Sequence, residues 1–199
     1  TTEIYSAFFV EEEGTLSSLR GLQEVMETKG LFSSLYTDRG SHYWHTDEAG
    51  GQVDKIRLTQ VHRALQQLGV TLIPAYSPEA RGRSERAFRT LQDRLPKELA
   101  LAGITEMAAA NRYLAERFLP AYNQRFAVSA PEVGTAFIPW IGTHLADILC
   151  VQDERVVAKD NTVRYQGTNL QIPQDPHRFH YVKVTVRVHE YPDGTLAVF

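Results

Sequence analysis

Cysteine is almost missing from this chain. Cys150 is the only one in 199 residues, so no disulfide framework and no Cys-rich zinc module can be built. The chain has no secretory leader pattern, and a lone thiol suits a reducing compartment, so the sequence predicts a cytoplasmic protein. No apolar run reaches the roughly 20 residues of a membrane span. An overall positive charge is missing too: 21 Lys and Arg face 24 Asp and Glu, a net of −3. That balance argues against a protein that coats nucleic acid non-specifically along its whole surface. Internal repeats and low-complexity tracts are also lacking. The remaining composition, 43% hydrophobic and 23% charged, is that of an ordinary folded protein.

Positive charge is present locally. Residues 78–126 hold nine Lys or Arg against six Asp or Glu, while the rest of the chain carries 12 against 18. A local field of this kind recruits a polyanion. The chain opens at Thr1 without an initiator Met and closes at Phe199 inside a strand pattern, which predicts a piece of a longer protein.

Periodicity divides the chain. Ile4–Val10 is a near-continuous apolar run and predicts a strand buried on both faces. Thr15 is the expected N-cap of a helix with Leu16, Leu19, Gln23 and Met26 on one face, stopped by Gly30. Leu31–Tyr36 predicts a strand and residues 40–53 a polar loop. A helix from about Asp54 carries Leu58, Val61, Leu65 and Leu68 and is capped by Gly69. Val70–Pro74 predicts a short strand. A helix from about Arg83 has the stripe Phe88, Leu91, Leu95 and Leu99, with Pro96 expected to kink it. A last helix runs from Thr105 to about Tyr122, with Met107, Ala110, Leu114 and Phe118 facing inward. Strands alternating with helices predict an α/β architecture. Beyond Arg155 short β patterns dominate, and Pro192-Asp193-Gly194 marks a hairpin turn.

Two carboxylates stand at rims of these elements. Asp38 follows the strand ending at Tyr36, in Tyr36-Thr37-Asp38-Arg39-Gly40. Glu85 opens the helix after Tyr76-Ser77-Pro78, within Gly82-Arg83-Ser84-Glu85-Arg86. Mg²⁺ takes oxygen ligands, commonly one or two carboxylates plus substrate phosphates. Arg81, Arg83, Arg86 and Arg89 crowd the same segment, suited to phosphates.

These paired motifs, in this order and with a helix between them, resemble the integrase core of DDE transposases from bacterial insertion sequences. The resemblance covers roughly residues 1–126. Asp160 to Gly167 resembles the small β-barrel that follows the core in many of them. It implies an α/β, ribonuclease-H-like core lacking its first strands (1–126), a linker (127–150) and a small all-β SH3-like barrel (151–199). It implies Asp38 and Glu85 as catalytic metal ligands for two Mg²⁺ or Mn²⁺ ions. The first acidic residue of the family's triad has no counterpart, because Ile4–Val10 matches the third strand. The isolated chain is therefore expected to be inactive. Implied partners are double-stranded DNA at transposon ends and target, and further copies of the protein in a synaptic complex. The implied location is the bacterial cytoplasm, at the nucleoid when active. Arg81, Arg83, Arg86, Arg89, Tyr76 and Ser77 are the expected DNA contacts.

Plainer readings stand beside these. An Asp after a strand often shapes a turn, and a Glu in a first helical turn often complements the helix dipole. The arginines also suit a solvated face, with Arg89 paired to Asp93. Tyr76 and Ser77 equally suit a turn before Pro78. His42 and His45 read as solvated loop residues rather than zinc ligands. No His or Asp is spaced to make Ser84 a nucleophile. The β-module balances six basic against six acidic residues, so Arg164, Lys183 and Arg187 suit DNA or protein docking alike. A non-catalytic DNA-binding or assembly remnant of a mobile element, or another ribonuclease-H-like nuclease, fits the same residues.

Overall fold

The computed structural model describes residues 2–48, 51–130, 132–174, 176 and 178–199, with the side chains of 78–81 and 83 left out. Helix α1 (Thr15–Thr28) turns Leu19, Leu22 and Met26 inward. Gly14, one residue before the expected Thr15, caps it, and Gly14 N–H donates to Ser17 Oγ at 2.9 Å. Strand β1 (Ser34–Thr37) pairs in parallel with β4 (Thr71–Pro74), setting Thr37 opposite Pro74. A parallel pair needs a crossover, and α2 (Gln60–Gln67) supplies it.

The crossover helix starts later than its apolar spacing predicts. Asp54 is consumed by a turn: its Oδ1 accepts from Ile56 N–H at 2.7 Å and Arg57 N–H at 3.1 Å. Thr59 is the cap, its hydroxyl accepting from His62 N–H at 3.2 Å. Gly69, at φ +72°, ends the helix with Val70 N–H on Leu65 O and Gly69 N–H on Gln66 O. That pair of bonds needs a left-handed residue, which glycine supplies without a Cβ clash. Between β1 and α2 lies a short antiparallel pair, β2 (His45–Thr46) with β3 (Val53–Asp54).

Three cores form. The first gathers Leu19, Met26, Trp44, Val61, Leu65 and Leu72, joined by Leu145 and Leu149 from the stretch expected to be a linker. Leu31 and Ile138 exchange backbone hydrogen bonds of 2.7 and 2.8 Å. Gly30, at φ +102°, permits that approach, since a Cβ there would lie 2.4 Å from Ile138 O. Helix α6 (Leu145–Ile148) follows.

The second core joins α3 (Pro78–Leu101) to α4 (Met107–Tyr113) and α5 (Leu119–Phe126) through Leu95, Leu114, Phe118 and Tyr122. Helix α3 continues through Pro96 to Leu101. A π-helical turn, Leu114–Phe118, links α4 to α5. Pro120 has no N–H to give, and the wider turn before it ends with Leu119 N–H on Leu114 O. Only the second half of α3 packs into this core, so Phe88, expected inward, is 57% exposed.

Ile4–Val10 is not the buried strand its composition predicts. Among the described residues no sheet takes it up, and it is half-buried to Phe8 and exposed at Phe9 and Val10. Its backbone groups are met by side chains of the second core's helices: Asn123 brackets Ile4, and Asn111 brackets Phe9.

The third core fills the β-module with Val157, Val163, Tyr165, Val186 and Val188. Its strands are β5 (Val151–Val156), β6 (Thr162–Tyr165), β7 (Thr168–Gln171), β8 (Thr185–Glu190) and β9 (Leu196–Val198). They form a three-stranded sheet, β5-β8-β9, and a two-stranded one, β6-β7; among the described residues no ladder closes them into a barrel. Gly194 N–H reaches Tyr191 O at 2.9 Å in the expected hairpin turn. The module is fastened to the first core. Gln60 donates to Gln152 O at 2.8 Å and accepts from Gln152 N–H at 3.1 Å. Tyr191 OH donates to Asp147 on α6. Together these elements make a mixed α/β protein with small sheets.

Candidate nucleic-acid and metal site

The parallel pair sets the site. Thr37 O accepts from Ala75 N–H at 2.9 Å, so Asp38 and Tyr76 leave neighbouring strands at the same, carboxyl end. Helix α3 begins two residues after Tyr76. This end of a parallel sheet, where loops diverge, is where α/β folds place ligands.

Asp38 is half-buried, and its Oδ1 accepts from Gly40 N–H at 3.1 Å. The bond folds the chain back at once, and Tyr43 and Trp44 N–H both reach Gly40 O. Trp44 is 2% exposed and donates from Nε1 to Thr37 Oγ1 at 3.0 Å. The residue before Asp38 is therefore tied down by a buried indole. Tyr43 lies beside it, and burial pushes its phenol above the usual range. Ser18 opposes that shift by hydrogen bonding, and the charges of Asp38 and Glu13 add to it.

Arg39 stacks its guanidinium 5.2 Å above the Tyr76 ring and donates to Gly51 O at 2.9 Å. Tyr76 is 49% exposed. Its hydroxyl accepts from Val53 N–H and donates to Gln52 Oε1, each at 3.3 Å. Ser77 is exposed beside it. Asp38, Arg39, Tyr76 and Ser77 thus share one rim.

Glu85, Arg86 and Arg89 are exposed along the first half of α3. Glu85 lies seven residues beyond Pro78, roughly 10 Å along the helix axis. The side chains of Arg81 and Arg83 lie outside the described residues. Asp93, a possible partner of Arg89, pairs instead with Lys97 at 2.5 Å, and Lys97 holds the Asp93 carboxyl below its usual range. His42 sits with its Nε2 at 3.7 Å from Glu13 Oε1 and its ring 4.2 Å from Tyr43. His45 lies across from Asp54 in the short antiparallel pair. Among the described residues, no group of three His, Cys, Asp or Glu side chains is placed to hold an ion. The carboxylates of Asp38 and Glu85 are nonetheless oxygen donors of the kind Mg²⁺ takes.

Sequence reasoning missed Thr37, Trp44 and Gln52. The available signal was Tyr43-Trp44 inside a stretch otherwise read as polar loop, since two adjacent large aromatics seldom stay in water.

No family model matches the chain. It is 31% identical over 202 aligned residues to "Putative transposase y4bF" of Sinorhizobium fredii (strain NBRC 101917 / NGR234), covering 100% of this chain and 43% of that protein. It is 28% identical over 123 residues to "Transposase for insertion sequence IS1202" of Streptococcus pneumoniae, covering 62% of this chain and 26% of that protein. The chain is thus similar to two proteins named transposases and spans less than half the length of each. Among the described residues no helix is long and apolar enough to cross a membrane.

Proposed function

We propose that this chain is the catalytic-core portion of a DDE-type transposase, with a ribonuclease-H-like core and an SH3-like β-module. It would move an insertion sequence by metal-dependent cutting and joining of DNA. The observation that carries the reading is the shared rim. Asp38 and Tyr76-Ser77 leave two adjacent parallel strands at one end, and the helix bearing Glu85 and the arginines springs from that end. The similarity to two proteins named transposases supports it.

In this reading Asp38 and Glu85 hold Mg²⁺ or Mn²⁺. The ion supplies charge neutralisation at the reacting phosphate when bound. Gly40 N–H and the Trp44–Thr37 bond orient the Asp38 carboxylate. Arg81, Arg83, Arg86 and Arg89, with Tyr76 and Ser77, position the DNA backbone without reading bases. Further copies of the protein would share the DNA in a synaptic complex. Two carboxylates are an incomplete donor set, so the chain alone binds DNA without cutting it.

A salt titration of duplex binding by fluorescence anisotropy tests the reading on the chain itself. Replacing Arg83, Arg86 and Arg89 together by Ala should lower the slope of log K against log salt by about 2.7, roughly 0.9 per lost phosphate contact. An unchanged slope would move the DNA path elsewhere, and nicking by the wild-type chain in Mg²⁺ would contradict the incomplete site.

A further inference from the structure

The turn Lys55-Ile56-Arg57 lies between β3 and α2 and belongs to none of the motifs above. Ile56 is 91% exposed, and Lys55 and Arg57 on either side are exposed as well. Arg57 feels the nearby Asp54 charge, but neither cation is tied up in a salt bridge among the described residues. An isoleucine in open water between them gains nothing from the fold that holds it there.

The fold nevertheless holds it firmly. Asp54 Oδ1 accepts from both Ile56 N–H and Arg57 N–H, and these two bonds are the main reason its carboxyl is depressed below the usual range. Two residues on, Thr59 donates to Tyr43 O at 3.0 Å while capping α2. The turn is therefore pinned at both ends. It is also joined to the candidate site, because Val53 N–H, one residue before Asp54, donates to the Tyr76 hydroxyl at 3.3 Å. Arg39, next to Asp38, reaches Gly51 O in the same segment.

We infer that Lys55-Ile56-Arg57 is a DNA-distorting wedge, with Ile56 entering a base step and Lys55 and Arg57 on the flanking phosphates. The inference rests on the DNA-acting reading above and adds a separate contact to it. The chemistry fits duplex DNA better than a protein partner. An isolated aliphatic tip is too small for a hydrophobic interface, yet apolar wedges of this size unstack base steps and kink the helix. The two neighbouring cations supply the phosphate attraction that such a distortion requires. A tip fixed in advance loses little conformational freedom on insertion. Pyrimidine–purine steps, which kink easily, are the expected targets.

The test uses the 199-residue chain and a short duplex rich in TA steps, labelled at both ends for energy transfer. Wild-type binding should raise the transfer, reporting a bend. Ile56→Ala should abolish that rise and leave the salt slope of binding unchanged. Ile56→Met, which keeps an apolar tip, should retain it. Lys55→Ala with Arg57→Ala should lower the slope by about 1.8. These are exposed positions, and circular dichroism will verify that each variant is folded. Binding with no bend, a bend that survives in Ile56→Ala, or an unchanged slope in the double variant overturns the wedge alone. Failure of the wild-type chain to bind any duplex contradicts both the wedge and the DNA-acting reading beneath it.

Discussion

Asn123 treats Ile4 as a neighbouring strand would. Its Nδ2 donates to Ile4 O at 2.8 Å and its Oδ1 accepts from Ile4 N–H at 2.9 Å. Asn111 does the same to Phe9, at 3.0 and 2.6 Å. A carboxamide presents an N–H donor and an oxygen acceptor side by side, matching the N–H and C=O of a single extended residue, so it can close one rung of a ladder from a helix. These two rungs run antiparallel: Ile4 is matched to the later asparagine and Phe9 to the earlier one.

Asn123→Ala removes both bonds of one rung. At about 0.5–1.5 kcal/mol per bond, the loss should be roughly 1–3 kcal/mol. Urea denaturation should show a lower midpoint and an unchanged m-value. An unshifted midpoint would show that water replaces the rung at no cost.

Trp44→Phe tests the tie beneath Asp38. It keeps most of the buried ring and deletes the Nε1–H bond to Thr37 Oγ1. The expected cost is about 1–3 kcal/mol, since a buried hydroxyl loses its partner. Thermal unfolding would read it. A smaller loss in Trp44→Phe with Thr37→Val than in Trp44→Phe alone would confirm that the bond, and not ring volume, is at stake.

Acid should destabilise the protein through two histidines. Burial pushes His62 and His189 below their ordinary pKa; Asp147 opposes the shift at His189, whereas Arg187 and Arg63 add to it. A depressed histidine binds its proton in the unfolded chain first, so stability is full above about pH 6.5 and falls as pH drops toward the folded pKa. Urea midpoints measured between about pH 7.5 and 5 should decline, and His62→Gln with His189→Gln should flatten that decline. An equal decline in the double variant would place the acid sensitivity in other groups.

The parts of this fold that were legible are those whose signal is local. The Pro192-Asp193-Gly194 turn, the Gly69 stop and the strand ending at Pro74 rest on backbone chemistry that neighbours cannot override. Ile4–Val10 was misread because an apolar run reports burial and not hydrogen-bond partners, and here the partners are asparagine side chains more than a hundred residues away. Phe88 was misread for a related reason. Helical spacing shows which face is apolar, but only the second half of α3 meets other helices. The place of Asp38, Tyr76 and Ser77 just past two strand ends was legible because each follows an apolar strand pattern. The buried Trp44 was not, since a loop of mostly polar residues hides a long-range packing role.

The central proposal is that Asp38 and Glu85 carry the chemistry while the neighbouring arginines hold the DNA. Strand transfer by the full-length protein, measured with Mn²⁺ on labelled transposon ends, tests it most directly. Asp38→Asn and Glu85→Gln should each lower transfer by about a thousandfold, since a metal ligand supports several kcal/mol of charge stabilisation. DNA binding measured by anisotropy on the same samples should stay within about twofold of wild type. Wild-type transfer in either variant would contradict the account.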